Sequence, residues 1–325
     1  MIRTLTFIVL ACGAAVAAQA QNTDPFPRLA GIFISDPRNY EDPDYQRDIA
    51  KLDYAIMSVY PGWEQTHGIT MEEVARRIKA INPTIRIFLY FCPESREYPN
   101  TAWVSVNTKL DSSKWWAYQT GGSGTKVLSD FGDNTFIVNL TNFTPADSSG
   151  KRANEWLAGH VLAMVANGRP SIDGIFTDNV FWKPRKDADW NRDGTSDSQN
   201  SASVQKYYRE GNVAYLNHLK RLMPGKTQIG NIADWGKVGS VITEYNQVLE
   251  GGVMENVIGK SYSVESYAGW APLLAHYRKS MAALSGRKFG MFSQTGVPTD
   301  YQSMRYGLAT AFYMEIGRAS CRERV

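Results

Sequence analysis

Short apolar runs alternate with amphipathic stretches along most of this chain. Leu29–Ser35, Leu52–Tyr60, Thr84–Phe91, Ile172–Thr177, Thr227–Ile232, Gly252–Glu255 and Lys288–Ser293 have the length and branched or aromatic content of strands. Between them, Met71–Ile81, Asn154–Asn167, Ser201–Met223 and Tyr267–Leu284 carry apolar residues at helical spacing, and Tyr301–Tyr313 starts another helix. Pro83 and Pro224-Gly225 mark the ends of two of these helices. Strands that are nearly continuous in apolar residues are buried on both faces, and their alternation with helices predicts a parallel α/β fold. The expected architecture is a single (β/α)8 TIM barrel spanning residues 21–315. Residues 93–134 are rich in Ser, Thr, Gly and aromatics, and are expected to be irregular. Thr135–Leu140 is expected as an inserted hairpin element outside the barrel.

Two apolar runs end in an acid followed by an amide. They are Ile175-Phe176-Thr177-Asp178-Asn179 and Val253-Met254-Glu255-Asn256. Functional groups of a parallel barrel gather at the C-terminal ends of its strands. Two carboxylates at one barrel mouth are what hydrolysis of a glycosidic bond requires. On this reading Asp178 is the nucleophile or electrostatic base and Glu255 the proton donor. Asp234 follows another strand, and it is a candidate to replace either partner, to bind sugar hydroxyls or to cap the next helix. Asp173 opens its run and is expected at the opposite end, as a cap or facing solvent. Asp36, Tyr60, Trp63, Tyr90, Asn179, Trp182, Asn231, Trp235, Asn256 and Gln294 also lie near strand ends. Amides suit hydroxyls and aromatic rings suit sugar faces. Trp63, Trp182 and Trp235 are the best candidate platforms, with ordinary packing as the alternative role for each.

The stretch Asp187–Asp197 has oxygen-bearing side chains at Asp189, Asn191 and Asp193, then Gly194, Thr195 and Asp197. This spacing matches the first half of an EF-hand calcium loop. The twelfth position is Asn200 rather than the bidentate Glu, so the expectation is a structural Ca2+ or simply a polar turn. No cofactor is expected for the chemistry itself.

Residues 1–20 read as a signal peptide, with Arg3, an apolar stretch and Ala18-Gln19-Ala20 as the cleavage site. Secretion or periplasmic placement follows, with lipid anchoring at Cys12 the lesser alternative. Residues 316–325 turn abruptly basic without apolar period, resemble translated adapter sequence and are set aside, which leaves the last barrel strand missing. Of three cysteines, Cys12 and Cys321 fall in these ends. Cys92 is expected to be a buried small apolar residue. The chain has 325 residues, a formal net charge of +3 and 12% aromatic residues. The near-neutral balance argues against nucleic-acid binding. No membrane span is expected, the expected partner is a carbohydrate, and oligomeric state is not legible.

From Ala30 to about Tyr313 the chain resembles sequence-defined bacterial glycoside hydrolases of barrel fold. It is more distantly similar to endo-galactosaminidase-like barrels. The resemblance rests on Asp173-Gly174-Ile175-Phe176-Thr177-Asp178-Asn179, the Asp189–Asp197 loop, Ile229-Gly230-Asn231 and Met254-Glu255-Asn256. It implies a strand-four Asp and a later Glu as the catalytic pair, which fall on Asp178 and Glu255. The competing reading is a non-catalytic glycan-binding barrel. An esterase or phosphodiesterase is disfavoured by the lack of a Gly-x-Ser-x-Gly elbow.

Overall fold

The computed structural model describes residues 28–34, 39–121, 124–238, 240–258, 263–284, 290–294, 299–313 and 320–323. The expected signal peptide, Cys12 and Asp36 lie outside them. The chain runs β1 (Leu29–Phe33), α1 (Pro43–Ile49), β2 (Tyr54–Met57), α2 (Trp63–His67), α3 (Met71–Ile81) and β3 (Arg86–Phe91). It continues with β4 (Ser95–Glu97), α4 (Val104–Ser112), β5 (Thr135–Ile137), α5 (Ala153–Val161), β6 (Gly174–Thr177), α6 (Ala202–Leu222) and β7 (Thr227–Asn231). The last elements are β8 (Gly251–Ile258), α7 (Val264–Tyr267), α8 (Trp270–Ala283), β9 (Gly290–Gln294), α9 (Tyr301–Tyr313) and β10 (Ser320–Glu323).

The helices form where the pattern places them. In α3 the Thr70 hydroxyl accepts the Glu73 N–H at 3.1 Å, and Glu72 and Glu73 sit in the positive first turn. Met71, Val74, Ala75 and Ile78 make its buried stripe, and Asn82 ends it ahead of Pro83. In α6 the buried positions Val204, Tyr208, Gly211, Asn212, Tyr215, Leu216 and Leu219 follow one face. The helix α4 falls inside the stretch expected to be irregular. Its buried positions are only Val106, Asn107 and Leu110, too few to stand out as a period.

The core sheet is parallel and curls from β2 through β1, and from β2 through β3, β6, β7, β8 and β9. β10 pairs with both β1 and β9, at Leu29↔Ser320 and Phe292↔Ser320. β10 lies within the basic end segment set aside above. Ladder bonds join backbone groups, so a segment without apolar period can still pair with open strand edges. The helical layer is less regular than the strands, because β7 leads into the single turn Trp235–Lys237. β4 and β5 form a separate antiparallel pair, which matches the expected insertion.

Side-chain alternation along each strand sorts the core into two sets. Ala30, Ile32, Tyr54, Ile56, Phe88, Phe176, Ile229 and Val253 cluster together inside the curl. Their strand neighbours, including Ala55, Met57, Ile87, Leu89 and Ile175, pack outward with the helices. At the N-terminal end of β6, Asp173 accepts the Ile87 N–H at 2.7 Å and pairs with Lys79 at 2.8 Å. This polar cluster is at the end opposite the C-terminal strand tips.

Close strand packing is most demanding at Gly174. A Cβ there would lie 2.0 Å from the Thr227 carbonyl oxygen, a backbone atom that cannot swing away. At Gly252 the nearest atom is the tip of Ile232, at 2.2 Å. Gly174→Ala should therefore lower stability by about 1–3 kcal/mol, and Gly252→Ala by less. Urea unfolding midpoints of the two variants check this, and an unchanged midpoint for Gly174→Ala would contradict the packing described.

Candidate active site

The strand period that builds the interior also builds the site. Two residues beyond Phe88, Phe176, Ile229 and Val253 stand Tyr90, Asp178, Asn231 and Glu255. A step of two returns a side chain to the same face, so these four project one level above the apolar interior: Tyr90, Asp178 and Asn231 at the C-terminal ends of β3, β6 and β7, and Glu255 within β8, where its register shifts after Met254. Because β7 lies between β6 and β8, Asn231 lies between the two acids.

The amide of Asn231 joins them. Its Nδ2 donates to Oδ1 of Asp178 at 2.9 Å and to Oε2 of Glu255 at 2.7 Å. Its own carbonyl oxygen accepts the Ala233 N–H at 3.2 Å, which fixes which end of the amide faces the acids. The two hydrogens of a planar NH2 diverge, so these bonds set the acceptor oxygens roughly 5 Å apart. The sum of the two bonds, about 5.6 Å, is the upper limit for that gap.

Asp178 has two further donors. The Tyr90 hydroxyl donates to Oδ2 at 2.6 Å, and the Asn179 N–H donates to Oδ1 at 2.8 Å. Burial, with the Asp178 charge beside it, raises the Tyr90 ionisation well above its ordinary value, so the phenol keeps its proton and stays a donor. Asn179 has a φ of 55°, in the left-handed region that Asn tolerates better than most residues. This kink lets its side chain turn back to Glu94 Oε2 at 3.3 Å and Cys92 Sγ at 3.5 Å.

Glu94 was not anticipated, although it lies three residues beyond the apolar run of β3. It is buried, and desolvation pushes its carboxyl from 4.5 up to about 7 against hydrogen bonds from Ser95 and Asn179. Asp234 is likewise pushed from 3.8 up to about 7 by desolvation, with Lys237 and Arg185 opposing the shift. Its carboxyl accepts the Trp182 N–H, and its Oδ1 is buried without a partner. Cys92 is buried as expected. Desolvation, with Asp178 and Glu94 nearby, pushes its thiol up to about 12, which keeps it neutral.

Several expected substrate contacts have other roles. Trp63 is fully buried and stacks on His67 at 4.6 Å. Trp235 is fully buried, stacks on Tyr245 at 4.9 Å and donates to the Val180 carbonyl at 2.6 Å. Neither can face a sugar, and both expectations are corrected: a Trp next to a strand end carries enough apolar surface to be drawn into the core. The polar atoms of Tyr90, Asn179 and Asn231 are directed at carboxylates. Tyr60 is half-buried against the core. Trp182 is half-buried, has the Lys183 ammonium 5.3 Å from its ring centre and keeps the candidacy of a platform. The side chains of Asn256 and Gln294 lie outside the described part of the structure.

Asp189, Asn191, Asp193, Thr195 and Asp197 share one loop, closed by the antiparallel bridge Ala188↔Asp197. Among the described residues, no three His, Cys, Asp or Glu side chains are grouped as a set of metal ligands. No described helix is long and apolar enough to cross a membrane.

Acids at the C-terminal side of a parallel sheet sit where barrel enzymes keep their functional groups, and the class of protein is a glycosidase. More particularly, residues 79–321 match the profile of hypothetical glycosyl hydrolase family 15, and the chain belongs to that family. No curated protein sequence matches it. Among solved structures it is similar to the glycoside hydrolase domain of PelA from Pseudomonas aeruginosa, at 13% identity and a TM-score of 0.52, covering 92% of this chain and 95% of that one. It is also similar to the α-galactosidase TtGalA from Thermus thermophilus, at 13% identity and a TM-score of 0.51, covering 90% and 58%. A third is a cycloalternan-degrading enzyme from Trueperella pyogenes, at 12% identity and a TM-score of 0.53, covering 91% and 42%. These likenesses are of fold.

The raised carboxyl of Glu94 gives the site a measurable pH signature. The folded state keeps a proton that the unfolded state releases, so stability falls as pH rises from 4.5 to about 7. Glu94→Gln removes that loss. The variant should gain up to about 3 kcal/mol on the wild type between pH 4.5 and pH 8. Urea midpoints at the two pH values report the difference, and a gap independent of pH would refute a buried, proton-holding Glu94.

Proposed function

We propose that this protein is a secreted or periplasmic retaining glycoside hydrolase on a full (β/α)8 barrel, with Asp178 as nucleophile and Glu255 as general acid and base. The observation that carries the reading is the Asn231 bridge. Retaining enzymes hold their two carboxyl groups about 5–5.5 Å apart, whereas inverting enzymes need about 6.5–9.5 Å to seat a water. The two bridged oxygens lie roughly 5 Å apart, a close approach that favours the first geometry.

In the proposed cycle Asp178 attacks the anomeric carbon while Glu255 gives its proton to the departing glycosidic oxygen. A glycosyl ester forms on Asp178 and the aglycone leaves. Glu255, now ionised, takes a proton from water, whose oxygen displaces Asp178 from the anomeric carbon. Retention results from two inversions. Asp178 suits the nucleophile because its three donors (Tyr90, Asn179 and Asn231) hold an acceptor-only carboxylate in one orientation. A purely glycan-binding barrel would have no need to hold two acids this close.

Two of the similar structures are described with an α-galactopyranoside and with isomaltose, so α-linked hexosides head the substrate panel. Purified protein is assayed on α- and β-p-nitrophenyl glycosides and on soluble galactosaminoglycan and glucan oligosaccharides, with proton NMR of the first-formed anomer. The product should keep the anomeric configuration of the substrate. Glu255→Gln should lose roughly 10²–10⁴-fold in rate, and Asp178→Asn at least as much. An inverted product, or full activity in either variant, would overturn the assignment. Glycan binding without product across the panel would favour the binding barrel.

A further inference from the structure

We infer that the Asp189–Asp197 loop binds a divalent cation of the calcium type, with Asp189 as its charged ligand. Asp189 is 0% exposed. Its carboxylate is turned across the loop, because Oδ2 accepts the Gly194 N–H at 3.1 Å. The other oxygen, Oδ1, is buried with no hydrogen-bond partner. Buried carboxylates are ordinarily paired, hydrogen-bonded or bound to metal, and a carboxylate oxygen left with none of these is strongly unfavourable.

The Arg192 guanidinium is attracted by the Asp189 charge, but neither Asp189 Oδ1 nor Arg192 Nε has a hydrogen-bond partner. Arg192 lies over the Tyr118 ring at 5.1 Å and directs its Nη2 to the carbonyls of Lys114 and Trp116. No Arg192–Asp189 ion pair occurs among the described residues. The other acids of the loop are engaged differently. Asp197 Oδ2 accepts the N–H groups of Trp190 and Asn191, at 2.9 and 3.3 Å. Asp193 accepts the Thr195 N–H at 2.9 Å and the Asn191 amide at 3.0 Å, besides the Thr195 hydroxyl.

With Asp193 and Asp197 engaged within the loop, Asp189 Oδ1 is the carboxylate oxygen left for a cation, and its other ligands would be neutral oxygens. Calcium accepts six to eight oxygens of this kind, while magnesium demands a stricter octahedron. A low charge count places the affinity in the weak class of extracellular sites, with Kd on the order of 10⁻⁴–10⁻³ M. This inference does not depend on the proposed glycosidase mechanism.

Trp190 adjoins Asp189 and serves as a built-in antenna. Terbium(III) is titrated into the full chain with excitation of tryptophan, and calcium or magnesium is then added as competitor. Sensitised emission should saturate and fall with calcium but not with magnesium. Calcium at about 10 mM should raise the unfolding midpoint by roughly 5 °C over the protein in EDTA. Asp189→Asn should lose both responses while keeping a midpoint in EDTA no lower than the wild type. If that variant fails to fold, Asn191→Ala, at a partly exposed position, should weaken terbium binding at least several-fold. Absence of sensitised emission with no calcium shift in the wild type overturns the proposal, as does undiminished emission in Asp189→Asn.

Discussion

One amide nitrogen, Nδ2 of Asn231, holds the two acids of the site together, and the rest of the mouth is arranged around that bridge. Two carboxylates about 5 Å apart repel by about 3 kcal/mol if both are charged, at an effective dielectric constant near 20. Two N–H bonds from a single group offset that repulsion and fix the spacing at once. The bridge depends on strand order, because only a residue on β7 can reach β6 and β8 together. It depends equally on the period of two, which puts Asn231 on the face already occupied by Ile229. The Ala233 N–H completes it by holding the amide carbonyl away from the acids.

The segment after β6 is secured from both sides. Trp235 and Tyr245 donate to the carbonyls of Val180 and Phe181, and Arg209 donates to that of Trp182. On the other side the Asn179 side chain is caught by Glu94 and Cys92. Support of this kind holds the Asp178 segment in place, as the proposed role of nucleophile requires. Burial beside this segment raises the carboxyls of Glu94 and Asp234.

Much of this was legible in the sequence. The apolar runs marked every strand flanking the site, and the acid after Thr177 was readable as a strand-end carboxylate, whereas β8 runs on to Ile258 past the acid after Met254. α3 was readable to its last residue from its apolar stripe and the following proline. What failed had physical causes. Trp63 and Trp235 have the composition of sugar platforms, but burial is a tertiary property that local pattern does not carry. Asn231 was visible as a strand-end amide, yet its double donation required knowing which strands flank β7. Glu94 carried the same signal as Asp178, an acid just past an apolar run, but Cys92-Pro93 interrupts the run and blurs the strand end. β10 was illegible because its pairing rests on backbone groups rather than on any apolar pattern.

The central claim is that Asp178 becomes covalently attached to sugar. A 2-deoxy-2-fluoro glycosyl fluoride of the preferred sugar slows both steps and traps such an ester. Intact mass spectrometry followed by peptide mapping should show one added fluoroglycosyl unit on the peptide carrying Asp178, and none in Asp178→Asn. A label on Glu255 or Asp234, or steady turnover of natural substrate without any trapped adduct, would contradict the account.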